Sequence, residues 1–295
     1  MVGDSTGLRA VIPLDPVAHC PATASPQKPF APGAPSAPAV AATRRSAPVA
    51  PFRLIGNIYY VGTTDVAAYM IKGRYGMVLI DGGYEETAEQ ILASVRALGF
   101  EPHMIRYLLN SHAHYDHAGG LAALKRATGA TLYAGRGDSA VLARGGIHDP
   151  GFGEKYPFPP VTVEHPVTDG DRIELGDQLI TALATPGHTQ GCTTWVTTVV
   201  EGGKSYPVLF ICSLSIPGYD LKHHPPYPGI VDDYYASIAR LARLPCVVWL
   251  MPHAAQFGLD EKRKRMGGAT NPFIDQAGCR AYLGEAKQKI NRAMH

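Results

Sequence analysis

The sequence has no long apolar run, and its charges nearly balance. No apolar stretch approaches the roughly 20 residues that a membrane-spanning helix needs. The 27 basic and 25 acidic residues leave a formal net charge of +2, which indicates neither a nucleic-acid partner nor an acidic one. The basic run at 262–265 follows Asp260 and Glu261 and has no interleaved aromatic residues, so it predicts a solvated helix face. We therefore expect neither a membrane span nor a nucleic-acid partner.

The N-terminal part has no recognisable secretory signal, and its composition differs from that of the rest. Residues 8–14 are too few for the apolar core of such a signal, and Pro13 interrupts them. Residues 21–51 contain eight prolines amid alanine, serine and threonine, a composition that favours extended, poorly packed chain. We predict a disordered leader or linker at 1–51 and a folded domain at 52–295.

Four potential metal ligands lie within the six residues His112-Ala113-His114-Tyr115-Asp116-His117. An apolar strand is predicted before them at 105–110 and a helix after them at 121–127, so they occupy a strand-to-helix loop. Imidazole and carboxylate groups suit zinc, and one tetrahedral ion cannot comfortably use four ligands from so short a loop, which indicates two ions. The alternative is a polar surface loop with incidental histidines.

Two distant histidines argue against that alternative. His188 follows Pro186-Gly187 and His253 follows Pro252, and each ends an apolar run, so both are predicted on loops at strand ends. The pattern HxHxDH with two later histidines resembles the metallo-β-lactamase superfamily, from about Phe52 to the C-terminus. The order of predicted elements, strands then helices twice over, implies an α/β four-layer αβ/βα sandwich with the metals at one edge between the sheets.

The resemblance also implies the chemistry. Two Zn²⁺ ions per chain are expected, the first held by His112, His114 and His188 and the second by Asp116, His117 and His253. The ions would lower the pKa of a shared water, and the bridging hydroxide would attack a carbonyl carbon, with Asp116 as the catalytic residue that orients it. Asp81, at the end of the predicted strand 77–80, either orients a ligand histidine or caps a turn.

Ser213 and Ser215 indicate which subclass of the superfamily the chain resembles. Many hydrolases of the superfamily, including hydroxyacylglutathione hydrolases and lactonases, place a bridging aspartate where this chain has Ser213. The pair resembles the third subclass of class B β-lactamases (B3), in which two serines hydrogen-bond the substrate carboxylate directly or through water. Tyr219 either contacts the substrate carbonyl or packs as an ordinary loop tyrosine. The Gly- and Pro-rich loop 144–160 resembles the loop that flanks the active site of the family.

The five cysteines give information on the cellular compartment of the protein. Cys192 and Cys212 lie symmetrically about Gly202, the turn of a predicted hairpin, so they would face each other at a separation that suits a disulfide. Cys246 and Cys279 match a second pair found in the subclass, and Cys20 is left over. Two disulfides predict a periplasmic or secreted protein. The alternatives are buried free thiols, or Cys212 as a thiolate ligand.

We therefore predict a zinc β-lactamase that opens the amide bond of penicillins, cephalosporins and carbapenems and so gives antibiotic resistance. A small-molecule β-lactam is the expected partner, and the protein is expected to be a monomer. The alternative within the same fold is another hydrolase, a lactonase or a thioesterase. The alternative from a different class is a zinc-binding protein without useful turnover.

Overall fold

The computed structural model describes residues 46–295, so most of the predicted leader, with Cys20, lies outside the described residues. Within residues 46–51, Pro48 forms an antiparallel bridge with Thr63, and Val49 is buried. Packing therefore extends to the N-terminal side of the predicted boundary at Phe52.

The first sheet has seven strands in sequential order, antiparallel from the first to the fourth and parallel from the fourth to the seventh. The strands are β1 (Phe52–Ile55), β2 (Ile58–Tyr60), β3 (Tyr69–Lys72), β4 (Met77–Ile80), β5 (Ile105–Leu109), β6 (Thr131–Gly135) and β7 (His165–Val167). The helices of this half are α1 (Ala88–Ala97), α2 (Tyr115–Ala118), α3 (Leu121–Thr128) and α4 (Ser139–Ala143).

The second sheet has five strands, β8 (Arg172–Leu175), β9 (Gln178–Ala184), β10 (Thr193–Glu201), β11 (Lys204–Phe210) and β12 (Val248–Leu250). Their order is β12-β11-β10-β9-β8, with β12 parallel to β11 and the other pairs antiparallel. The helices of this half are α5 (Ile230–Ala242), α6 (Leu259–Lys264) and α7 (Gln276–Met294).

Alternating side chains divide the core into layers. Ile71 and Val78 share one buried cluster with Trp195 of the second sheet, whereas their chain neighbours Met70 and Leu79 share another with α1 and α3. This division follows because successive residues of a strand face opposite sides of the sheet. Helices α5 and α7 pack against each other, and α7 contacts β12. The predicted four-layer αβ/βα sandwich is confirmed.

The basic run departs from its prediction at one position. Lys262 of α6 is buried, with Nζ 3.0 Å from Asp275 Oδ2 and 4.6 Å from the centre of the Trp249 ring. The carboxylate and the indole face make this burial tolerable, so the prediction of a fully solvated helix face was wrong at Lys262. In the part of the chain that the structure describes, no helix is both long enough and apolar enough to cross a membrane.

Candidate metal centre

The histidine-rich loop follows β5 and is held between the two sheets. The Asn110 N–H donates to the Tyr133 carbonyl of β6, and the Thr193 N–H of β10 donates to the Ser111 carbonyl. The backbone is extended at His114 and then turns into α2, whose His117 and Ala118 N–H groups donate to the His114 carbonyl. This turn directs Asp116 and His117 to a point beside the first two histidines.

Glycines allow a second segment to pack closely on this loop. The Gly82 N–H donates to the His117 carbonyl, in the turn that follows β4. A Cβ atom at Gly120 would lie 2.2 Å from the Gly82 carbonyl oxygen, which no side chain could tolerate. The two glycines therefore let the β4 turn contact the metal loop backbone to backbone.

The first ligand cluster consists of three buried histidines. The rings of His112, His114 and His188 lie 4.6–4.9 Å apart, centre to centre. His188 Nδ1 donates to the Ser215 carbonyl at 2.8 Å, which leaves Nε2 of His188 available. Ser111 Oγ lies 2.9 Å from His112 Nδ1. Nε2 of His112 is buried without a hydrogen-bond partner, as expected of a nitrogen that binds a metal ion.

Asp116, His117 and His253 form the second cluster. Asp116 Oδ2, His117 Nε2 and His253 Nε2 lie 3.3 Å from one another. Donor atoms placed tetrahedrally at about 2.0–2.1 Å from zinc are about 3.3 Å apart, so the three atoms fit one ion. The structure thus brings together all six residues that the sequence suggested.

The charge states of the clusters suit metal binding. Burial lowers the pKa of His112 and His114 well below the usual value and that of His188 to about 4, so all three are neutral. Burial favours protonation of Asp116, but His117 and His253 outweigh it and hold the pKa of Asp116 well below its usual value.

His253 shows that the second cluster stabilises positive charge. Burial alone would lower the pKa of His253, but its contacts with Asp116 and Asp65 raise it to about 9. A metal cation would take the place of the proton that this pKa represents.

Two carboxylates lie beside the predicted ligands, on the side away from the metal positions. Asp81 accepts hydrogen bonds from Ser111 N–H and Oγ–H at 2.7 Å each, and its Oδ2 is 3.9 Å from His117 Nδ1. Asp65 Oδ1 is 3.4 Å from His253 Nδ1, and Asp65 Oδ2 accepts from the Tyr84 hydroxyl at 3.1 Å. Sequence reasoning missed Asp65, because its only signal was a place in the turn at 62–65.

The predicted substrate contacts lie beside the first cluster, but they differ in accessibility. Ser213 is only 1% exposed, with its hydroxyl oxygen 2.9 Å from that of Ser215, which is partly exposed. The Tyr219 hydroxyl lies 3.2 Å from His114 Nε2 and donates to the His188 carbonyl. Tyr219 thus contacts two of the predicted ligand histidines.

The loop 144–160 lies against the metal loop. The Phe152 ring is 4.6 Å from the His114 ring, and Tyr156 stacks on Tyr115 with the ring centres 4.5 Å apart. Asp149 Oδ1 accepts hydrogen bonds from the Gly151 and Phe152 N–H groups at 2.8 Å each. These contacts place aromatic side chains along one side of the ligand clusters.

Both cysteine pairs form disulfides, Cys192 with Cys212 and Cys246 with Cys279. Cys212 is therefore neither a free thiol nor a thiolate ligand. Its Sγ lies 3.8 Å from His112 Nδ1, so the first disulfide packs directly behind a ligand.

Three comparisons relate the chain to known proteins. The family model for the metallo-beta-lactamase superfamily matches residues 61–253. A solved structure, the subclass B3 metallo-beta-lactamase BJP-1 of Bradyrhizobium japonicum, is similar with a TM-score of 0.82 and 41% identity. That similarity covers 86% of this chain and 96% of that one.

The curated relatives carry other activities. A hydroxyacylglutathione hydrolase of Rhodospirillum rubrum is 35% identical over 104 residues, which are 35% of this chain and 32% of that protein. An N-acyl homoserine lactonase of a Bacillus species is 25% identical over 226 residues, covering 68% of this chain and 83% of that protein. The chain thus spans about a third of the length of the first relative and most of the second.

Proposed function

Because the chain belongs to the metallo-β-lactamase superfamily of hydrolases, we propose that it is a zinc-dependent β-lactamase of subclass B3. Its substrates would be penicillins, cephalosporins and carbapenems. The observation that carries this proposal is the extent of the B3 similarity, which covers 96% of that enzyme at 41% identity. The match to the hydroxyacylglutathione hydrolase covers only 32% of that protein.

In this proposal the two clusters hold one zinc ion each. His112, His114 and His188 form the first position, and Asp116, His117 and His253 form the second. When bound, two zinc ions supply a Lewis acid for the scissile carbonyl and a water made acidic enough to act as a nucleophile at neutral pH. Asp116, anionic and linked through Oδ2 to the second cluster, would orient that water.

Residues outside the ligand set position the substrate. Ser215 is the group proposed to hydrogen-bond the β-lactam carboxylate, because it is partly exposed beside His188. Buried Ser213 acts indirectly, by fixing the Ser215 hydroxyl at 2.9 Å and by accepting from the Ser215 N–H. Phe152 and Tyr156 offer an apolar wall for the substituents of the lactam ring.

Hydrolysis of a lactone or thioester is the second candidate. The curated relatives favour it, since one is a homoserine lactonase that this chain matches over 83% of its length. Ser213 argues against it, because by resemblance those hydrolases carry a metal-bridging aspartate at this strand end. A serine hydroxyl is a far poorer zinc ligand than a carboxylate.

Initial rates on five substrates test the proposal. The substrates are one penicillin, one cephalosporin, one carbapenem, a homoserine lactone and a glutathione thioester. We expect hydrolysis of the three β-lactams, lost with a chelator and restored by zinc. Faster hydrolysis of the lactone or thioester would overturn the β-lactamase proposal, and zinc binding without turnover of any substrate would indicate a binding protein.

The disulfides support a proposed location. Both bonds need an oxidising environment to form and persist, so we propose the periplasm or the cell exterior. In the periplasm a β-lactamase would act on the drug before it reaches its target, which is how this chain would give antibiotic resistance.

A further inference from the structure

The outer nitrogen of His114 has two polar neighbours that the metal chemistry does not require. Nε2 of His114 is 3.2 Å from the Tyr219 hydroxyl and 4.0 Å from Asp149 Oδ2. The side chains of His114 and Asp149 are only 3% and 7% exposed. The structure therefore gives this buried nitrogen two neighbours from the protein, a hydroxyl and a carboxylate.

The hydrogen bonds of the Tyr219 hydroxyl place a proton on Nε2 of His114. The Tyr219 hydroxyl has one proton, and its 3.2 Å contact with the His188 carbonyl is a hydrogen bond only if Tyr219 donates. The tyrosine oxygen is then an acceptor toward His114, so Nε2–H must donate to it. The Asp149 carboxylate, facing the same nitrogen, favours that proton further. Nδ1 of His114 is left as the unprotonated, metal-binding nitrogen.

The turn after Asp149 is shaped to hold this arrangement. Asp149 Oδ1 accepts from the N–H groups of Gly151 and Phe152, which directs Oδ2 toward His114. A Cβ atom at Gly151 would lie 2.3–2.5 Å from the ring and hydroxyl of Tyr219. Only glycine at this position leaves Tyr219 room to contact His114.

A cavity borders these contacts. A space of about 140 Å³ lies beside His114 and His188, lined also by Asp149 and Tyr219. The Phe152 ring lies 4.6 Å from the His114 ring, so this ring contact and the polar contacts with Asp149 and Tyr219 together orient His114.

We propose that Asp149 and Tyr219 are positioning residues that keep His114 protonated on Nε2 and so present Nδ1 to the metal. They also couple the loop 144–160 to the first metal position, because the turn that holds Asp149 makes room for Tyr219. The inference rests on the zinc sites of the proposed function, but it does not depend on which substrate is hydrolysed.

Three variants remove the proposed support in different ways. D149N keeps an oxygen for the turn but removes the charge that faces His114. Y219F removes the hydrogen-bond acceptor, and G151A displaces Tyr219 without changing a polar group. We expect each to weaken binding of one zinc ion by about 10–100-fold, the usual effect of losing a partner of a ligand histidine, and to leave the other ion unchanged. Competition with a chromophoric chelator measures both affinities without any substrate.

The tautomer of His114 is a second measurement, which would not change if Asp149 and Tyr219 had only a structural role. Long-range ¹H–¹⁵N spectra of the zinc-loaded full chain should show His114 protonated on Nε2, with that proton exchanging faster in D149N and Y219F. D220N is the control, because Asp220 neighbours Tyr219 in sequence but is bonded to exposed His223 and His224. It should keep both zinc affinities.

Three outcomes would overturn the proposal. They are His114 protonated on Nδ1, zinc affinities within twofold of the parent in all three variants, or loss of both ions together with a lower Tm of the metal-free variants. A parent that binds two zinc ions but hydrolyses no β-lactam would refute the proposed function and leave this inference standing.

Discussion

At the scale of single residues, the proposed ligand histidines differ in the group that contacts the ring nitrogen facing away from the metal position. The neighbour of that nitrogen is a serine hydroxyl for His112, a backbone carbonyl for His188 and a carboxylate for His253. Each neighbour fixes one tautomer and therefore one metal-facing atom. The sequence predicts which residues bind the metal. Only these contacts show which nitrogen atom of each histidine faces it.

Asp116 is expected to be the least replaceable ligand. D116N removes the one negative charge that lies 3.3 Å from both His117 Nε2 and His253 Nε2. Affinity for the second zinc ion should fall by at least about 100-fold, and turnover should fall with it. Zinc content and kcat measured on the same preparation check this. Normal turnover at full zinc content would contradict the proposed role.

The two serines should behave differently. Losing a hydrogen bond to a charged group costs about 1.5–3 kcal/mol, so S215A should raise KM for β-lactams by roughly 10–100-fold with little change in kcat. S213A should have a smaller effect, because Ser213 is buried and acts through Ser215. Zinc content should not change in either variant. Steady-state kinetics measure both effects. If S213A and S215A raised KM equally, Ser213 would be inferred to contact the substrate as well.

The six proposed ligands, which the structure brings together, could be singled out from sequence, whereas the residues behind them could not. His112 to His117 have a spacing whose chemistry is specific, and His188 and His253 follow Gly and Pro at strand ends. No pattern singles out Asp65 in its turn, or Asp149 among the residues of the Gly- and Pro-rich loop 144–160. Their contacts join residues 188 and 35 positions apart, which no local pattern records.

At the scale of elements, some strands were predicted with the limits that the structure shows, and others were missed. The strand at 77–80 has the predicted limits. Strands β1, β6 and β7 were missed, and β7 is a three-residue edge strand that contains Pro166. Such a strand has too few alternating positions to stand out, and only its neighbour in the sheet defines it.

Removal of each disulfide should have a different effect: loss of one should lower only stability, and loss of the other should also weaken metal binding. Cys246–Cys279 closes a loop of 33 residues that ties α7 to the chain before β12, so C246S/C279S should lower the free energy of unfolding by about 3–4 kcal/mol. C192S/C212S should cost about 3 kcal/mol and also weaken zinc binding, since Cys212 Sγ is 3.8 Å from His112 Nδ1. Urea unfolding and chelator competition measure the two effects. Equal zinc affinities in the two double variants would contradict the assigned contact.

At the scale of the molecule, the proposed ligands come from loops of both sheets, so metal binding should stabilise the whole fold. Ligand His112 follows β5 of the first sheet, whereas His188 follows β9 and His253 follows β12 of the second. Zinc at 100 times its Kd should add about 2.7 kcal/mol per site to the free energy of unfolding. Denaturant unfolding before and after dialysis against a chelator checks this. An unchanged midpoint would mean that the metal does not link the two sheets.

The contact between the loop 144–160 and His114 has an evolutionary consequence. A loop that touched only substrate could diversify freely, but this one rests on a proposed metal ligand through Asp149 and Phe152. Selection for a new antibiotic should therefore act within a trade-off between substrate range and metal retention. In a randomised library selected under scarce zinc, we expect accepted changes at exposed Glu154 and Lys155 and almost none at Asp149 or Gly151. Sequencing the survivors measures this, and free variation at Asp149 would show that loop and metal evolve independently.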